Sequence, residues 1–137
     1  MIHGLLVRDP RRVLASYTKV RANVTLEDIG LPQQAALADR CSVIIDSADF
    51  LTDPEGYSRL ICDAFGVDFD PAMLAWPAGP RPSDGLWAPH WYRSVEASTG
   101  FAPPPLDAPP ATPDHLRVVT DEAMEIFTEL RRRRSMV

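Results

Sequence analysis

Apolar positions along the chain follow two rhythms. Gly4-Leu5-Leu6-Val7 is a short uncharged run that stops at Arg8, and beyond Asp9-Pro10 the positions Val13, Leu14, Tyr17 and Val20 recur at helical spacing. This predicts a strand, a tight turn and a helix. Asp9 is a favoured N-cap, and Pro10 suits the first helical position, where its missing N–H would have had no partner anyway. The helix is expected from about Pro10 to Ala22, followed by a helical turn over Thr25 to Asp28 closed by Gly30 and a helix from Pro32 to about Arg40. Ser42-Val43-Ile44-Ile45-Asp46-Ser47 is the second strand, and its Val-Ile-Ile centre without alternation is what burial on both faces leaves. Thr52-Asp53-Pro54-Glu55 repeats the cap-then-proline start, and Tyr57, Leu60, Ile61, Ala64 and Phe65 form an apolar stripe ended by Gly66.

The order strand, helices, strand, helix predicts a right-handed parallel crossover unit. Two strands buried on both faces need neighbours, and no third convincing strand is present. The expected class is therefore α/β: a partial three-layer parallel sheet with flanking helices, helix-rich in its C-terminal half, and part of a larger domain. Residues 1–137 read as one truncated domain with a linker inside it. Asp70 to Leu74 suits a short turn or helix, and Trp76 to Gly85 is too rich in Pro and Gly for regular structure. Residues 102–113 contain six prolines and read as an extended linker. The last helix then starts near Thr112-Pro113-Asp114, with Leu116, Val119, Ala123, Ile126, Phe127 and Leu130 on one side and Glu125 and Glu129 on the other. Arg131 to Arg134 complement the partial negative charge of its carboxyl end.

Composition narrows the classes. A hydrophobic share of 45% is enough for a core, and a net charge of −5 argues against a general nucleic-acid binder. Charge is uneven, because residues 1–23 carry five cations against the single acid Asp9. Cys41 and Cys62 sit among apolar neighbours and read as reduced thiols, with neither a disulfide framework nor a metal site expected. No apolar run approaches the roughly 20 residues of a membrane helix, and the start lacks the layout of a secretion signal. A cytoplasmic protein without a membrane partner is expected.

Candidate chemistry gathers at the strand ends. In an open α/β sheet, ligands bind outside the carboxyl ends of the strands, where helix N-termini aim N–H groups. Arg8 stands there and offers a planar fork for a phosphate, and Ser16, two turns into the helix, offers a small neutral donor. The same residues would also serve as a solvated strand end paired with Asp9 and as a small packing residue. Asp46, at the end of the second strand, either orients a substrate or caps a turn. Trp87, Trp91 and Tyr92 suit a substrate or adenine pocket, or equally the anchoring of a loop. His90, among them, is the one histidine placed as a candidate general base, with a structural role as the alternative.

Arg8-Asp9-Pro10-Arg11-Arg12-Val13-Leu14-Ala15-Ser16-Tyr17 resembles the segment of sulfotransferases written R-[ND]-P-[KR]-x-V-x-x-S-[YF]. The resemblance implies that Arg8 and Ser16 hold the 3′-phosphate of the donor 3′-phosphoadenosine 5′-phosphosulfate, within a P-loop NTPase-like fold and without a metal. The run from Asp53 to Phe101, with its D-P-E-G, W-A-x-x-W-Y and S-T-G-F phrases, is similar to a branch of uncharacterised bacterial sulfotransferase-like proteins. The implied partners are the nucleotide donor and a small hydroxyl or amine acceptor. Residues 1–137 contain no Gly-x-x-x-x-Gly-Lys-Ser/Thr loop for a 5′-phosphosulfate and no late Arg-Lys-Gly element. Catalysis by such a chain would call on a missing N-terminal segment. The alternative is a non-catalytic remnant that acts as a binding or homo-oligomerisation module through its sheet edge, and a kinase-like remnant is a weaker third option.

Overall fold

Gly4–Val7 (β1) and Val43–Asp46 (β2) lie side by side in parallel, with Gly4 opposite Val43 and Val7 opposite Asp46. The computed structural model describes residues 2–21, 23–81, 83–85 and 92–137. Between the strands run helices α1 (Pro10–Tyr17) and α2 (Leu31–Leu37), the latter extended by a 3-10 turn at Ala38–Arg40. After β2 come α3 (Ser47–Thr52), α4 (Pro54–Phe65), a 3-10 turn at Pro71–Met73, α5 (Arg93–Glu96), a 3-10 turn at Asp114–Leu116, and α6 (Arg117–Arg132).

The cap signals act as the sequence requires. Asp9 accepts a bond from the Arg11 N–H at 2.9 Å, and Asp53 accepts from the Gly56 N–H at 3.0 Å, each ahead of a proline in the first turn. Gly66 closes α4 at φ 68°, a left-handed conformation that a side chain would strain. Helix α1 is shorter than its periodicity suggests and stops at Tyr17. Its end tightens into 3-10-type bonds, from Lys19 to Ser16 and from Val20 to Tyr17, while the Thr18 hydroxyl bonds the Ala15 carbonyl. Val20 is consequently exposed rather than part of the apolar stripe. Among the described residues, two short helices have no counterpart in the sequence expectations: α5, and α3, which Asp46 starts by accepting from the Ala48 N–H at 2.9 Å.

Helices cover both faces of the strand pair. On one face Val7 and Ile44 pack with Leu31, Ala38, Ala123, Phe127 and Leu130; on the other Val43 and Ile45 pack with Phe50, Tyr57, Leu60 and Ile61. Every residue of β2 is buried, as its unbroken apolar run implies. β1 differs from that expectation, because Leu6 is 61% exposed. The cause is an edge: the C-terminal tail lies against β2, with the Ser135 N–H donating to the Ile44 carbonyl at 2.8 Å, but among the described residues no strand pairs along the far side of β1. Gly4 is where that edge is closest packed, since a Cβ there would stand 3.0 Å from Val43 Cγ1 and 3.2 Å from the Phe65 ring.

Leu130, 1% exposed, is the last deep contact of α6 with the sheet. Leu130→Ala should destabilise by about 2–5 kcal/mol, whereas Val118→Ala on the outer side should cost under about 0.5 kcal/mol. Urea unfolding of the two variants measures the contrast, and equal losses would contradict this core.

Candidate anion-binding cleft

A cleft of about 1210 Å³ opens at the carboxyl ends of both strands and along the uncovered edge of β1. Its base is apolar, formed by Leu6, Ile45, Phe50, Ile61, Phe65 and Phe101 among others. Six arginines line it (Arg8, Arg11, Arg12, Arg131, Arg132 and Arg134) against only two acids, Asp9 and Asp46. An apolar base under a cationic mouth suits a ligand with a flat or apolar body and an anionic group.

Most of these cations are engaged. Arg11 donates through Nε at 3.0 Å and through Nη2 at 2.6 Å to the two oxygens of Asp9, a bidentate pair. Burial alone would raise the Asp9 carboxyl, but the Arg11 side-chain and backbone bonds and the nearby charges of Arg11 and Arg12 outweigh it and hold Asp9 below its ordinary value. Arg131 donates through Nε to Asp46 Oδ2 at 2.7 Å and approaches Asp49 at 3.6 Å, and Arg134 donates to Asp49 Oδ2 at 2.5 Å. Arg12 meets Asp107, and Arg132 pairs with Glu129. Arg8 alone of the six makes no ion pair among the described residues. It follows the last residue of β1, directly before the Asp9 cap, so the strand and helix fix its backbone while its side chain stays in solvent.

The other sequence candidates separate. Ser16 is exposed near the end of α1 and does not line the cleft. Tyr92 is exposed ahead of α5 and also lies off the cleft wall. Trp87, His90 and Trp91 lie outside the described residues. Asp46 proves to be both cap and ion-pair partner, 2% exposed. Among the described residues, an aromatic cluster forms around Phe101. Phe101 meets Phe50 edge-on at 4.8 Å and Trp76 at 5.2 Å, and the Trp76 indole N–H donates to Ser98 Oγ at 3.0 Å.

Sequence reasoning missed the roles of Arg12, Arg131 and Arg134. The arginine run at the end of α6 carries a local signal, helix-end charge, and Arg134 does donate to the Arg131 carbonyl at 2.9 Å. Its pairing with acids 85 positions earlier has no local signature. Among the described residues, no group of three or more His, Cys, Asp or Glu is placed to hold a metal ion, and no helix is long and apolar enough to cross a membrane.

The family model described as a sulfotransferase domain matches residues 1–134. Two proteins of Arabidopsis thaliana, branched-chain-amino-acid aminotransferase-like proteins 1 and 2, are 41% and 38% identical to this chain over 108 residues, 74% of its length. The matched stretch spans 19% of each of those relatives. No solved structure gives a significant match.

Because Asp9 is held below its ordinary pKa, its contribution to stability is present above about pH 4, the unfolded carboxylate value, and is lost as pH falls through the lowered folded value. Asp9→Asn keeps a capping side chain and should flatten this acid limb. Thermal unfolding between pH 2 and 6 checks it, and an unchanged slope would count against the Asp9–Arg11 pair.

Proposed function

Since the chain belongs to the sulfotransferase domain family, we propose that its cleft binds the sulfuryl donor 3′-phosphoadenosine 5′-phosphosulfate, with Arg8 on the 3′-phosphate. The observation that carries this reading is the placement of Arg8, a guanidinium without an ion pair among the described residues, at a strand end over an apolar cleft. A planar fork beside a capped helix start suits a doubly charged phosphate, and the apolar base suits an adenine ring. The family resemblance adds Ser16 as a second, weaker phosphate contact, made from outside the cleft wall on α1. The donor supplies an activated sulfuryl group, which would pass to a hydroxyl or amine acceptor by in-line attack as the phosphosulfate S–O bond breaks, releasing 3′-phosphoadenosine 5′-phosphate and the acceptor's proton. In that reaction, this chain's residues bind and orient.

The proposed domain is a P-loop NTPase-like sulfotransferase fold, of which residues 1–137 form one part. The loop that would hold the 5′-phosphosulfate is not encoded in them. Turnover therefore depends on a loop from outside this sequence, and the chemistry of the residues present is that of the 3′-phosphate side. The aminotransferase-like names describe relatives several times longer than the matched stretch. A second reading is favoured by the uncovered β1 edge and the exposed Leu6: a binding or oligomerisation module without chemistry.

Isothermal titration with 3′-phosphoadenosine 5′-phosphate separates the two. Under the donor reading the nucleotide binds. Arg8→Ala weakens it by roughly 10- to 100-fold, the loss of a charged hydrogen bond, and Ser16→Ala weakens it by about fivefold. Absence of heat with the chain, alone or joined to a phosphosulfate loop, would leave the module reading.

A further inference from the structure

The proline-rich segment 102–113, expected as an extended linker, borders the cleft. Its start is fixed where Phe101 packs on Phe50 and Trp76, and its end is fixed by buried Leu116. Between these anchors Pro105 and Pro109 line the cleft, while Leu106 is almost fully exposed. The middle of the segment thus has little apolar burial of its own. Among the described residues, one guanidinium bonds to it: Arg12 Nη2 donates to the Asp107 carbonyl oxygen, and Nη1 lies 3.5 Å from Asp107 Oδ2.

The two partners differ in surroundings. The Arg12 side chain is 18% exposed and lines the cleft on α1, four residues beyond Arg8, whereas that of Asp107 is 72% exposed. An exposed carboxylate at 3.5 Å is screened and contributes little as a latch. A half-buried guanidinium facing a cleft is a strong site for an oxyanion. A carbonyl oxygen and a carboxylate are also the groups that such an anion would replace.

We propose that Arg12 is a second oxyanion-binding residue of the cleft, and that Asp107 occupies it until a phosphate- or sulfate-type group displaces the segment. The inference rests on the donor-binding reading for its nucleotide ligand, but the Arg12 site itself requires only the oxyanion. Bound anion and seated segment exclude one another at Arg12, so the segment lowers the apparent affinity by the fraction of molecules in which it is seated.

The test uses the full chain, Asp107→Ala, Asp107→Asn and Arg12→Gln, with circular dichroism to confirm folding. It has two readouts: titration with 3′-phosphoadenosine 5′-phosphate, and the nuclear magnetic resonance chemical shifts of the Leu106 and Ala108 amides. Both Asp107→Ala and Arg12→Gln should move these shifts toward free-chain values. Asp107→Ala should tighten the nucleotide by about two- to fivefold, with Asp107→Asn between it and the parent. Arg12→Gln should weaken it by roughly tenfold or more. Opposite signs from the two halves of one contact are what a purely structural latch cannot give, and shifts of the same sign, or none, overturn the proposal while leaving the Arg8 reading to its own test. If the nucleotide binds neither parent nor variants, the donor reading falls and inorganic sulfate decides. Movement of these shifts toward free-chain values with sulfate in the parent but not in Arg12→Gln supports the oxyanion site, and no response to sulfate overturns it.

Discussion

A carboxylate as deeply buried as that of Asp46 is costly unless both of its oxygens are used. Here they are: Oδ1 accepts the Ala48 N–H at 2.9 Å and Oδ2 accepts Arg131 Nε at 2.7 Å. One side chain therefore ties together the end of β2, the start of α3 and the last turn of α6. Asp49, one turn on, takes Arg134 and approaches Arg131, so the tie is a network rather than a pair. With α6 held there, the tail reaches β2 and Ser135 pairs with Ile44. Much of the cationic wall of the cleft is thus delivered by a segment far away in sequence, at the sheet end where Arg8 emerges.

This arrangement settles a charge problem. Six guanidiniums around one cleft repel one another, and unpaired they would oppose folding of the strand ends. Acids from α3, from the Asp9 cap, from segment 102–113 and from α6 itself engage five of them. The anionic ligand then meets a cleft that is positive but structurally tied, with Arg8 the one of the six that no ion pair engages among the described residues. Leu6 of β1 joins Ile45, Phe50 and Phe65 in the apolar base of the same cleft, so the sheet end and α6 meet there.

How far the sequence disclosed this depends on the range of each interaction. Much of the short-range grammar was legible: Asp9-Pro10, Asp53-Pro54 and Gly66 cap the helices where they stand, and the unbroken Val43-Ile44-Ile45 run is buried on both faces. The reading of β1 as equally buried failed because burial depends on what lies beside a strand, which Leu5-Leu6-Val7 does not encode. Helix α1 ended early, with local hydroxyl and 3-10 bonds at Thr18 to Val20 closing it beyond buried Leu14 and ahead of Val20, which has no core to face. At the site, Arg8 was legible from its place between strand and cap. The links Asp46–Arg131, Asp49–Arg134 and Arg12–Asp107 join residues 85 to 95 apart, and nothing in either segment names its partner.

The claim on which the cleft rests is that Asp46 and Arg131 act as one unit. A double-mutant cycle of Asp46→Asn and Arg131→Gln, followed by urea unfolding, isolates that coupling. The account predicts that the double variant loses less than the sum of the single losses, by about 1 kcal/mol or more, as for residues of one hydrogen-bonded network. Additivity within about 0.3–0.5 kcal/mol would mean that the end of α6 is held by other contacts, and would contradict it.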